Sequence, residues 1–552
     1  MPDPTLPKAL LIPFALGLLV LAATAVAWRL RFVQDDAYIS FRYAENLAAG
    51  RGLVWNSVAA SGSLAEPTEG YTNFLWTVAM GALMAVGAEP VAASYVLGLA
   101  AFAVTLAFTY KLGTRMLGSR GLGLWAVVLL GTNYSFLCFA TGGMETQWQA
   151  CLFAASFYLF VRGAQEQAWP IARLVALSML LAAAVLTRLD SALLVAVVGA
   201  ATLLLGAWAR LPRREMLRKA AALALPFGAV VGGWGLWKLA YYGNLLPNTY
   251  AVKVASVSPF GTAGVRYLQA FLLSYCLVPF PLLGLLAARR RPTRSDVPWL
   301  SLAAIVGLWC LYIVRIGGDF IEFRFLVPVL PFAFVLILGV VFKVIQQRGV
   351  RAALLALVLF GSVQHAATFG RALRMGAIAN RAELRAPLTD PSSDWVGIGK
   401  VLGRAFAGAP QPLIAVMPAG AIPYFSRLPA IDMLGLNDRW VARHGIPLEG
   451  MAGHARLAPL RYLVERRANL VLGHPIVKKA PDLPSAGYSL AWLRDLWWVR
   501  FDSPDEIPAE ASILEIPLDD EWRVLAIYLT KSPAVDAVAQ RCGWRIRPLL
   551  RT

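Results

Sequence analysis

The sequence has few of the residues that metal centres and disulfide frameworks need. Its 552 residues include only four histidines and five cysteines, with no CxxC pair and no HExxH helix. This argues against a structural zinc site and against a metalloprotease. Four of the five cysteines lie inside apolar runs, where we interpret them as small buried hydrophobic residues and not as disulfide partners.

Charged residues are also scarce, at 15%, while 58% of the residues are hydrophobic and the mean hydropathy is +0.60. A soluble protein of this length cannot bury so much apolar surface. The net charge of +19 would suit nucleic acid, but the cations cluster in short loops between apolar runs. That pattern is typical of cytoplasmic loops facing anionic lipid. We therefore expect a lipid bilayer, and no nucleic acid, as partner.

Apolar runs of spanning length recur through the first two thirds of the chain. The basic loops between them, such as RLPRREMLRK at 210–219, should be cytoplasmic. This places the N-terminus in the cytoplasm. The sequence predicts about eleven spans, near residues 9–28, 91–110, 121–140, 147–161, 171–187, 191–208, 220–242, 267–288, 297–314, 325–342 and 352–369.

Two segments leave this topology open to alternatives. All the basic loops fall on the cytoplasmic side only if residues 72–87 do not cross the membrane. This segment is short and includes two glycines, so we expect a re-entrant or interfacial helix. The alternative is that they cross and a neighbouring short helix does not. The first run, 9–28, has features of a signal peptide, but its length and the spans that follow favour an uncleaved first span.

The tail has a different composition, mixing charge, proline and apolar runs too short to span. We expect residues 370–552 to form a soluble α/β domain on the outer side, large enough for its own core. Residues 1–369 are then a transmembrane catalytic domain with interfacial or re-entrant helices.

Almost every motif-like polar stretch falls on a predicted outer segment. Ionisable residues at membrane depth are costly and usually line a cavity. The sequence therefore predicts a charged pocket opening outward. Its candidate substrate-pocket residues are Glu69, Tyr71, Asn73, Glu145, Arg188, Asp190, Asn248 and Asp319. Arg188 and Asp190 are equally well explained as a structural pair closing a hairpin.

Asp35 and Asp36 stand where the first apolar run ends, and we predict them as the reactive carboxylates. They open an amphipathic stretch, AYISFRYAENLAA, so an aspartate N-cap fits as well. The two roles are compatible, since one aspartate can cap while the other reacts.

Four cations are candidates for binding a phosphate: Arg324, Arg315, Lys253 and Arg42. An isolated interfacial cation more often contacts lipid headgroups. Several cations beside carboxylates are better explained by a phosphate-bearing ligand held through charge-assisted hydrogen bonds. An outward-facing enzyme has no nucleotide at hand, so its activated donor should be carried by lipid.

Six stretches together resemble a known family. They are DDAYISFRYAENLAAGRGLVWN (35–56), EGYTNFLW (69–76), TGGMET (141–146), LTRLD (186–190), YYGNLLPNTY (241–250) and GGDFIEFRFLVPVLP (317–331). In this order they are similar to the GT-C membrane glycosyltransferases, and within these to the terminal arabinofuranosyltransferase (AftB) family. IDMLGLND (431–438) extends the resemblance into the tail.

The resemblance implies a GT-C fold and a sugar donor linked to polyprenyl phosphate, with arabinofuranose as one candidate sugar. The implied acceptor is a cell-envelope glycan on the outer face of a bacterial plasma membrane. The resemblance assigns the carboxylate pair of the first outer loop to Asp35 and Asp36. One of them would act as general base in an inverting transfer. The arabinofuranosyltransferase resemblance implies retention, in which an aspartate would act as nucleophile or the leaving phosphate would deprotonate the acceptor on the same face. We expect no required metal cofactor, although adjacent aspartates can hold Mg²⁺ or Ca²⁺.

The alternative function is a transporter or flippase for a lipid-linked sugar. It accounts for many spans and for charges at membrane depth, but it predicts inverted repeats. No such symmetry is visible in the sequence, and the outer domain would be unexplained.

Overall fold

Helices dominate the first two thirds of the chain, and a β-sheet appears in the last third. The computed structural model describes residues 8–57, 66–209, 212–253, 262–287, 293–368, 378–448 and 455–551. Within these ranges the helices before residue 369 are α1 (Lys8–Arg29), α2 (Asp35–Ala48), α3 (Phe74–Ala85), α4 (Pro90–Leu117), α5 (Arg120–Gly131), α6 (Tyr134–Cys138), α7 (Thr146–Glu166), α8 (Ile171–Thr187), α9 (Ala192–Trp208), α10 (Arg213–Tyr242), α11 (Asn248–Lys253), α12 (Thr262–Ser274), α13 (Pro279–Ala287), α14 (Val297–Ile316), α15 (Leu330–Val344) and α16 (Arg348–Thr368).

Seven helical segments of the described chain are long and apolar enough to cross a membrane. They are Leu11–Arg29, Pro90–Leu117, Leu189–Trp208, Arg213–Tyr242, Arg294–Ile316, Arg324–Val344 and Arg348–Ala367. Helices α12 and α13, bent by 92°, qualify together as an eighth. The prediction of a polytopic helical membrane protein is confirmed.

The remaining predicted spans correspond to helices that fall short of those criteria. The run 121–140 is interrupted, because α5 ends at Gly131 and Asn133 starts α6 by accepting a hydrogen bond from the Phe136 N–H (3.0 Å). The runs 147–161 and 171–187 are α7 and α8. Length and composition alone therefore give seven or eight spans where the sequence predicted about eleven.

Helix α3 covers most of the segment 72–87. Its 12 residues extend over about 18 Å, which is much less than the roughly 30 Å of a bilayer core. The helix is therefore too short to cross, in agreement with the re-entrant or interfacial prediction.

The C-terminal part is an α/β domain. Its strands are β1 (Ile414–Val416), β2 (Ala430–Asp432), β3 (Ile446–Pro447), β4 (Arg456–Leu457), β5 (Leu470–Lys479), β6 (Tyr488–Ser489), β7 (Ser512–Pro517), β8 (Trp522–Tyr528) and β9 (Arg545–Leu550). Seven of them form one mixed sheet in the order β2-β1-β5-β8-β7-β9-β6, and β3 pairs with β4. Strands β2, β1 and β5 are parallel, whereas β8 is antiparallel to both of its neighbours.

Short helices cover this sheet and connect it to the membrane part. They are α17 (Arg381–Thr389), α18 (Trp395–Ala405), α19 (Ala421–Ser426), α20 (Arg439–His444), α21 (Leu460–Glu465), α22 (Leu490–Asp495) and α23 (Pro533–Arg541). The predicted domain boundary near residue 369 falls between α16 and α17 and stays a prediction, because residues 369–377 lie outside the described ranges.

Helix α2 and the segment after it pack into the C-terminal domain. Ile39, Tyr43 and Trp55 are buried in the same apolar cluster as Ile422 and Leu514 of that domain. A hydrophobic core that contains residues from both parts holds them together, because separating them would expose this apolar surface to water.

The EGY and IDMLGLND motifs meet at this junction. The Tyr43 hydroxyl donates to Asn437 Oδ1 (3.0 Å) and accepts from the Gly70 N–H (3.0 Å). Asn437 is itself fixed by Asp432, whose Oδ2 accepts from the Asn437 backbone N–H (2.8 Å) and side-chain amide (2.9 Å). The two motifs are therefore parts of one interface.

We expect Gly70→Ala to destabilise this interface. A Cβ at position 70 would overlap the Asn437 side chain and lie 2.9 Å from the Leu436 carbonyl oxygen. The thermal midpoint of the purified protein, followed by tryptophan fluorescence, should fall. Gly199→Ala is the control, because a Cβ there meets nothing within 4 Å. Equal midpoints for the two variants would contradict the close approach.

Candidate active site

A cavity of about 180 Å³ opens where the first loops, the later loops and the C-terminal domain meet. It is bounded by the start of α2, by residues 70–73, by the segment before α15 and by Leu436. The polar side chains that line it are Asp36, Ser40, Tyr71, Thr72, Asn73, Arg188, Asp190, Thr249, Tyr250, Tyr312, Asp319 and Arg324. Acidic and basic groups from distant parts of the sequence therefore share one hollow.

Asp36 supplies a carboxylate without a partner to this cavity. It lies in the first turn of α2, and no other described residue gives its side chain a hydrogen bond or an ion pair. The first turn of a helix favours negative charge, because the backbone N–H groups there point toward it. Asp36 is therefore available to a ligand.

Arg324 is oriented by Asp319 across the turn that leads into α15. Its Nε and Nη2 donate to Asp319 Oδ2 at 3.1 and 2.8 Å, and both side chains are buried. Its Nη1 points at the Met144 sulfur, 3.1 Å away. Thioether sulfur is a weak acceptor, so a stronger acceptor such as a phosphate oxygen can displace it.

Arg188 is held more tightly, by two carboxylates. Its Nη1 pairs with Glu145 Oε1 (2.9 Å) and its Nη2 with Asp190 Oδ2 (2.7 Å). Asn73 donates to the other oxygen of Glu145 (2.7 Å). Burial raises the pKa of Glu145, but the Arg188 guanidinium outweighs it and holds that pKa below its usual range. Glu145 therefore remains a carboxylate that positions Arg188.

The Phe325 ring links the two arginines. The guanidinium carbons of Arg188 and Arg324 lie 5.3 and 5.2 Å from the centre of this ring. Cations within about 6 Å of an aromatic face are attracted to it. The ring thus helps to keep both guanidiniums beside the cavity.

Seven of the predicted site residues line the cavity: Asp36, Tyr71, Asn73, Arg188, Asp190, Asp319 and Arg324. Glu145 lies behind them as the partner of Arg188 and Asn73. The others face elsewhere. Arg315 is exposed in the last turn of α14, and the Lys253 side chain lies outside the part of the chain that the structure describes.

Ser40, Thr72, Thr249 and Tyr250 line the cavity without having been predicted from the sequence, and so do three residues that contact the arginines or Asp190. Met144 stands in the quoted TGGMET stretch, but its apolar side chain gave no signal of polar contact. Phe325 and Tyr312 belong to apolar runs, and only the packing of α14 against the segment before α15 brings them to Arg188.

Among the described residues no group of three or more histidine, cysteine, aspartate or glutamate side chains is arranged to hold a metal ion. The carboxylates beside the cavity instead have arginine or amide partners, apart from Asp36. The chemistry that this arrangement supports is proton transfer and binding of an anion.

A sequence model of the Alg9-like mannosyltransferase family matches residues 88–386, which is more than half of the chain. The chain belongs to this family. The match includes Arg188, Asp319 and Arg324, and it begins after the loop that carries Asp36. A second model, for a domain of unknown function (DUF8728), matches residues 381–527.

Two curated relatives carry the name terminal beta-(1->2)-arabinofuranosyltransferase. The one from Mycobacterium tuberculosis is 30% identical over 352 residues, which are 55% of this chain and 53% of the relative. The one from Corynebacterium glutamicum is 26% identical over 361 residues, 58% of this chain and 50% of the relative. The chain thus spans about half the length of the curated relatives it matches. The predicted resemblance to this group is confirmed.

Among solved structures, the fold is similar to that of ArnT from Cupriavidus metallidurans bound to undecaprenyl phosphate. The TM-score is 0.54 at 13% identity, with 93% of this chain and 97% of that chain covered. At this identity the likeness establishes the fold alone. Membership in the mannosyltransferase family supports the glycosyltransferase prediction over the transporter alternative.

In this member of the family Asp35 does not line the cavity. Its carboxylate accepts hydrogen bonds from the backbone N–H groups of Gly420 (3.1 Å) and Ala421 (2.7 Å), at the start of α19. The predicted aspartate cap of α2 is therefore wrong, because Asp35 binds the start of another helix. Gln34 is the N-cap residue of α2, and its side chain makes no capping hydrogen bond.

Arg42 holds the other end of α19. Its guanidinium donates to the carbonyl oxygens of Pro423, Leu428 (2.8 Å) and Trp55 (2.6 Å) and to Asn56 Oδ1 (3.1 Å). Between the two charged residues, the Tyr38 ring packs on Tyr424 and Phe425. Arg42 is therefore used in holding the two parts together and is directed away from the cavity.

Glu69 and Asn248 also lie at the junction and not in the cavity. Glu69 forms a buried ion pair with Lys238 of α10 (2.7 Å). The Asn248 side-chain amide donates to the carbonyl oxygens of Gly435 (2.7 Å) and Leu436 (3.1 Å). Both residues border a neighbouring pocket, which shares Pro247 and Tyr250 with the cavity.

The junction should lose stability as the pH rises. Burial raises the pKa of Asp35 to about 7, against the lowering effect of the Ala421 and Gly420 N–H groups. The folded protein therefore keeps a proton that the unfolded chain, with an ordinary aspartate, releases. The stabilisation is complete below the unfolded pKa and is lost as the pH rises through about 7.

We expect the thermal midpoint of the wild type to fall between about pH 5 and about pH 8, with a smaller fall in Asp35→Asn. Glu69, whose pKa burial also raises to about 7, contributes in the same direction, so part of the slope should remain. Thermal scans across this range measure both slopes. Parallel curves for wild type and variant would show that Asp35 does not take up the proton.

Proposed function

We propose that this chain transfers a glycosyl group from a polyprenyl-phosphate-linked donor to a hydroxyl of a cell-envelope glycan, at the outer face of the plasma membrane. The observation that carries the proposal is the cavity that the unpartnered Asp36, Arg324 and Arg188 line together. A sugar transfer needs a group that accepts the acceptor's proton and cations that stabilise the departing phosphate.

Arg324 is the main phosphate ligand in this proposal. Asp319 fixes its Nε and Nη2, and Nη1 is left facing a sulfur that a phosphate oxygen replaces. Arg188 is the second ligand, with N–H groups beyond those that Glu145 and Asp190 engage. Of the four cations predicted from the sequence, this proposal retains Arg324 and replaces Arg315 and Arg42 by Arg188. Lys253, whose side chain lies outside the described part of the chain, stays a prediction.

Asp36 acts as the general base. It takes the proton from the acceptor hydroxyl as the new glycosidic bond forms and the bond between the anomeric carbon and the phosphate oxygen breaks. The electron pair of that bond leaves with the polyprenyl phosphate, where Arg324 and Arg188 stabilise the growing charge. The same carboxylate also stabilises the oxocarbenium character of the transition state.

The stereochemical course discriminates between two roles of Asp36. As a base it serves a single displacement with inversion. Retention would instead require a carboxylate nucleophile and a second displacement, or deprotonation of the acceptor by the leaving phosphate on the same face. The other carboxylates at the cavity, Glu145, Asp190 and Asp319, are engaged with arginines, which favours the single displacement. Comparison of the donor and product anomers by NMR decides the question.

The names of the two arabinofuranosyltransferase relatives support arabinofuranose as the first sugar to test. The donor's prenyl chain would lie between the membrane helices, and the acceptor would approach from the side of the C-terminal domain. The basic loops favour a cytoplasmic N-terminus, which supports a position of this domain, and of the cavity beneath it, outside the cell.

The direct test of function is incubation of the purified full chain with a panel of polyprenyl-phosphate sugars, including arabinofuranose, scored for transfer to a glycan or for hydrolysis. We expect turnover with at least one donor of this class. Turnover with nucleotide sugars and with none of the lipid donors would contradict the proposal.

Asp36→Asn should lower kcat by about 10²- to 10⁴-fold, because the amide cannot accept the proton. Donor binding and the thermal midpoint should change little. Asp35→Asn is the matched variant: it should lower the midpoint and retain more activity than Asp36→Asn. Normal turnover in Asp36→Asn would remove the base assignment.

Arg324→Gln should raise the KM for the lipid donor about 10- to 100-fold, because a charge-assisted hydrogen bond to phosphate is lost. Arg324→Lys should recover part of the affinity, and Arg315→Gln, an exposed control, should leave KM unchanged. The thermal midpoint separates this effect from the loss of the Asp319 ion pair. An unchanged KM in a folded Arg324→Gln protein would exclude the phosphate role.

A further inference from the structure

Three arginines converge on a separate pocket at the end of the first apolar helix. Arg29 ends α1, Arg31 follows it, and Arg385 comes from α17 of the C-terminal domain. They line a pocket of about 330 Å³. Its other walls are mostly apolar, formed by Phe32, Val33, Tyr95, Leu388 and Thr389.

The three arginines of this pocket have no carboxylate partner within the described chain. No acidic side chain lines it, and none of the three guanidiniums pairs with a carboxylate of a described residue. Arg324 and Arg188 in the reaction cavity, by contrast, each have carboxylate partners. Three like charges around one hollow repel each other, so an anion that enters relieves this repulsion.

The pocket lies where the hydrocarbon should end. The apolar stretch Leu11–Arg29 has a mean hydropathy of 2.2, and Trp28, 47% exposed, contacts the Tyr95 ring edge-on at 6.2 Å. Tryptophan and tyrosine are enriched at the membrane–water boundary. Leu21 of α1 and Val96 of α4 are among the exposed large apolar side chains. The surface of these two helices is therefore suited to lipid chains.

The arginines are also arranged for an anion with several oxygens. Arg31 lies over the Trp28 ring at 4.4 Å and donates to the Trp28 carbonyl oxygen (3.1 Å), which leaves most of its N–H groups available. The neighbouring Arg381 donates to the Leu30 carbonyl oxygen (3.3 Å) and so keeps α17 close to the end of α1. Guanidiniums match the geometry of phosphate oxygens in bidentate pairs.

We propose that the arginine pocket binds the phosphate group of an anionic membrane lipid whose chains lie along α1 and α4. Phosphate oxygens would bridge Arg29 and Arg31 of the membrane part to Arg385 of the C-terminal domain. The lipid would thereby stabilise the packing of α17, whose Leu388 is buried against Ala37, Tyr38 and Phe41 of α2. This binding does not depend on the proposed sugar transfer.

The test compares the wild type with Arg29→Gln/Arg31→Gln/Arg385→Gln in nanodiscs. One set contains phosphatidylcholine alone, a second adds phosphatidylglycerol, a third adds undecaprenyl phosphate, and a fourth has inorganic phosphate in solution. We expect an anionic lipid to raise the thermal midpoint of the wild type by about 2 °C or more and to be retained in native mass spectra. The triple variant should lose both effects.

The matched control is Arg404→Gln/Arg494→Gln/Arg545→Gln, which removes the same charge from exposed positions of the C-terminal domain and should keep the lipid effect. If the triple variant does not fold, the exposed single variant Arg385→Glu takes its place. A loss confined to the undecaprenyl phosphate arm supports the site and identifies a prenyl phosphate as its lipid. Equal lipid effects in wild type and variant, or stabilisation by inorganic phosphate alone, would overturn the proposal.

Discussion

The cavity of the candidate active site depends on the contact between α2 and α19. Asp35 accepts from the N–H groups at the start of α19, and Arg42 donates to carbonyl oxygens near its end. A helix has unsatisfied N–H groups at its start and partial negative charge at its end, so the Asp35 oxygens suit the one and the Arg42 guanidinium the other. Because successive residues of a helix point about 100° apart, fixing Asp35 against the C-terminal domain turns Asp36 toward a different side, which is the cavity.

Under the proposed function, the cavity would select its ligand through local geometry more than through net charge. Asp36, Glu145, Asp190 and Asp319 together carry more formal charge than Arg188 and Arg324 offset. Three of the four carboxylates pair with the arginines and hold their guanidinium N–H groups in place. A phosphate would then meet prearranged donors, and little reorganisation would be needed when charge develops.

Much of this organisation could be predicted from the sequence, because the membrane imposes strong constraints on it. The apolar runs gave the polytopic class, and the polar residues interrupting them gave Asp36, Arg188, Asp319 and Arg324 as members of one site. The sequence pattern could not predict the direction of each side chain, because that direction depends on how the C-terminal domain packs against the membrane part. Arg42 contacts Pro423, 381 residues further along the chain, and no local periodicity contains that contact.

Rotation about a helix explains the remaining differences. Arg315 lies one position before Ile316, which lines the cavity, yet it is exposed. A shift of one residue is enough to move a side chain from the cavity wall to the outer surface. The sequence indicated the Gly70–Asn437 contact only indirectly, because EGYTNFLW and IDMLGLND both resemble the same family. The folded chain shows that these two motifs meet.

The cavity continues into the neighbouring pocket that Glu69 and Asn248 border, because Pro247 and Tyr250 line both. Under the proposed transfer, these two residues would therefore bear on any part of the acceptor that extends beyond the reacting sugar.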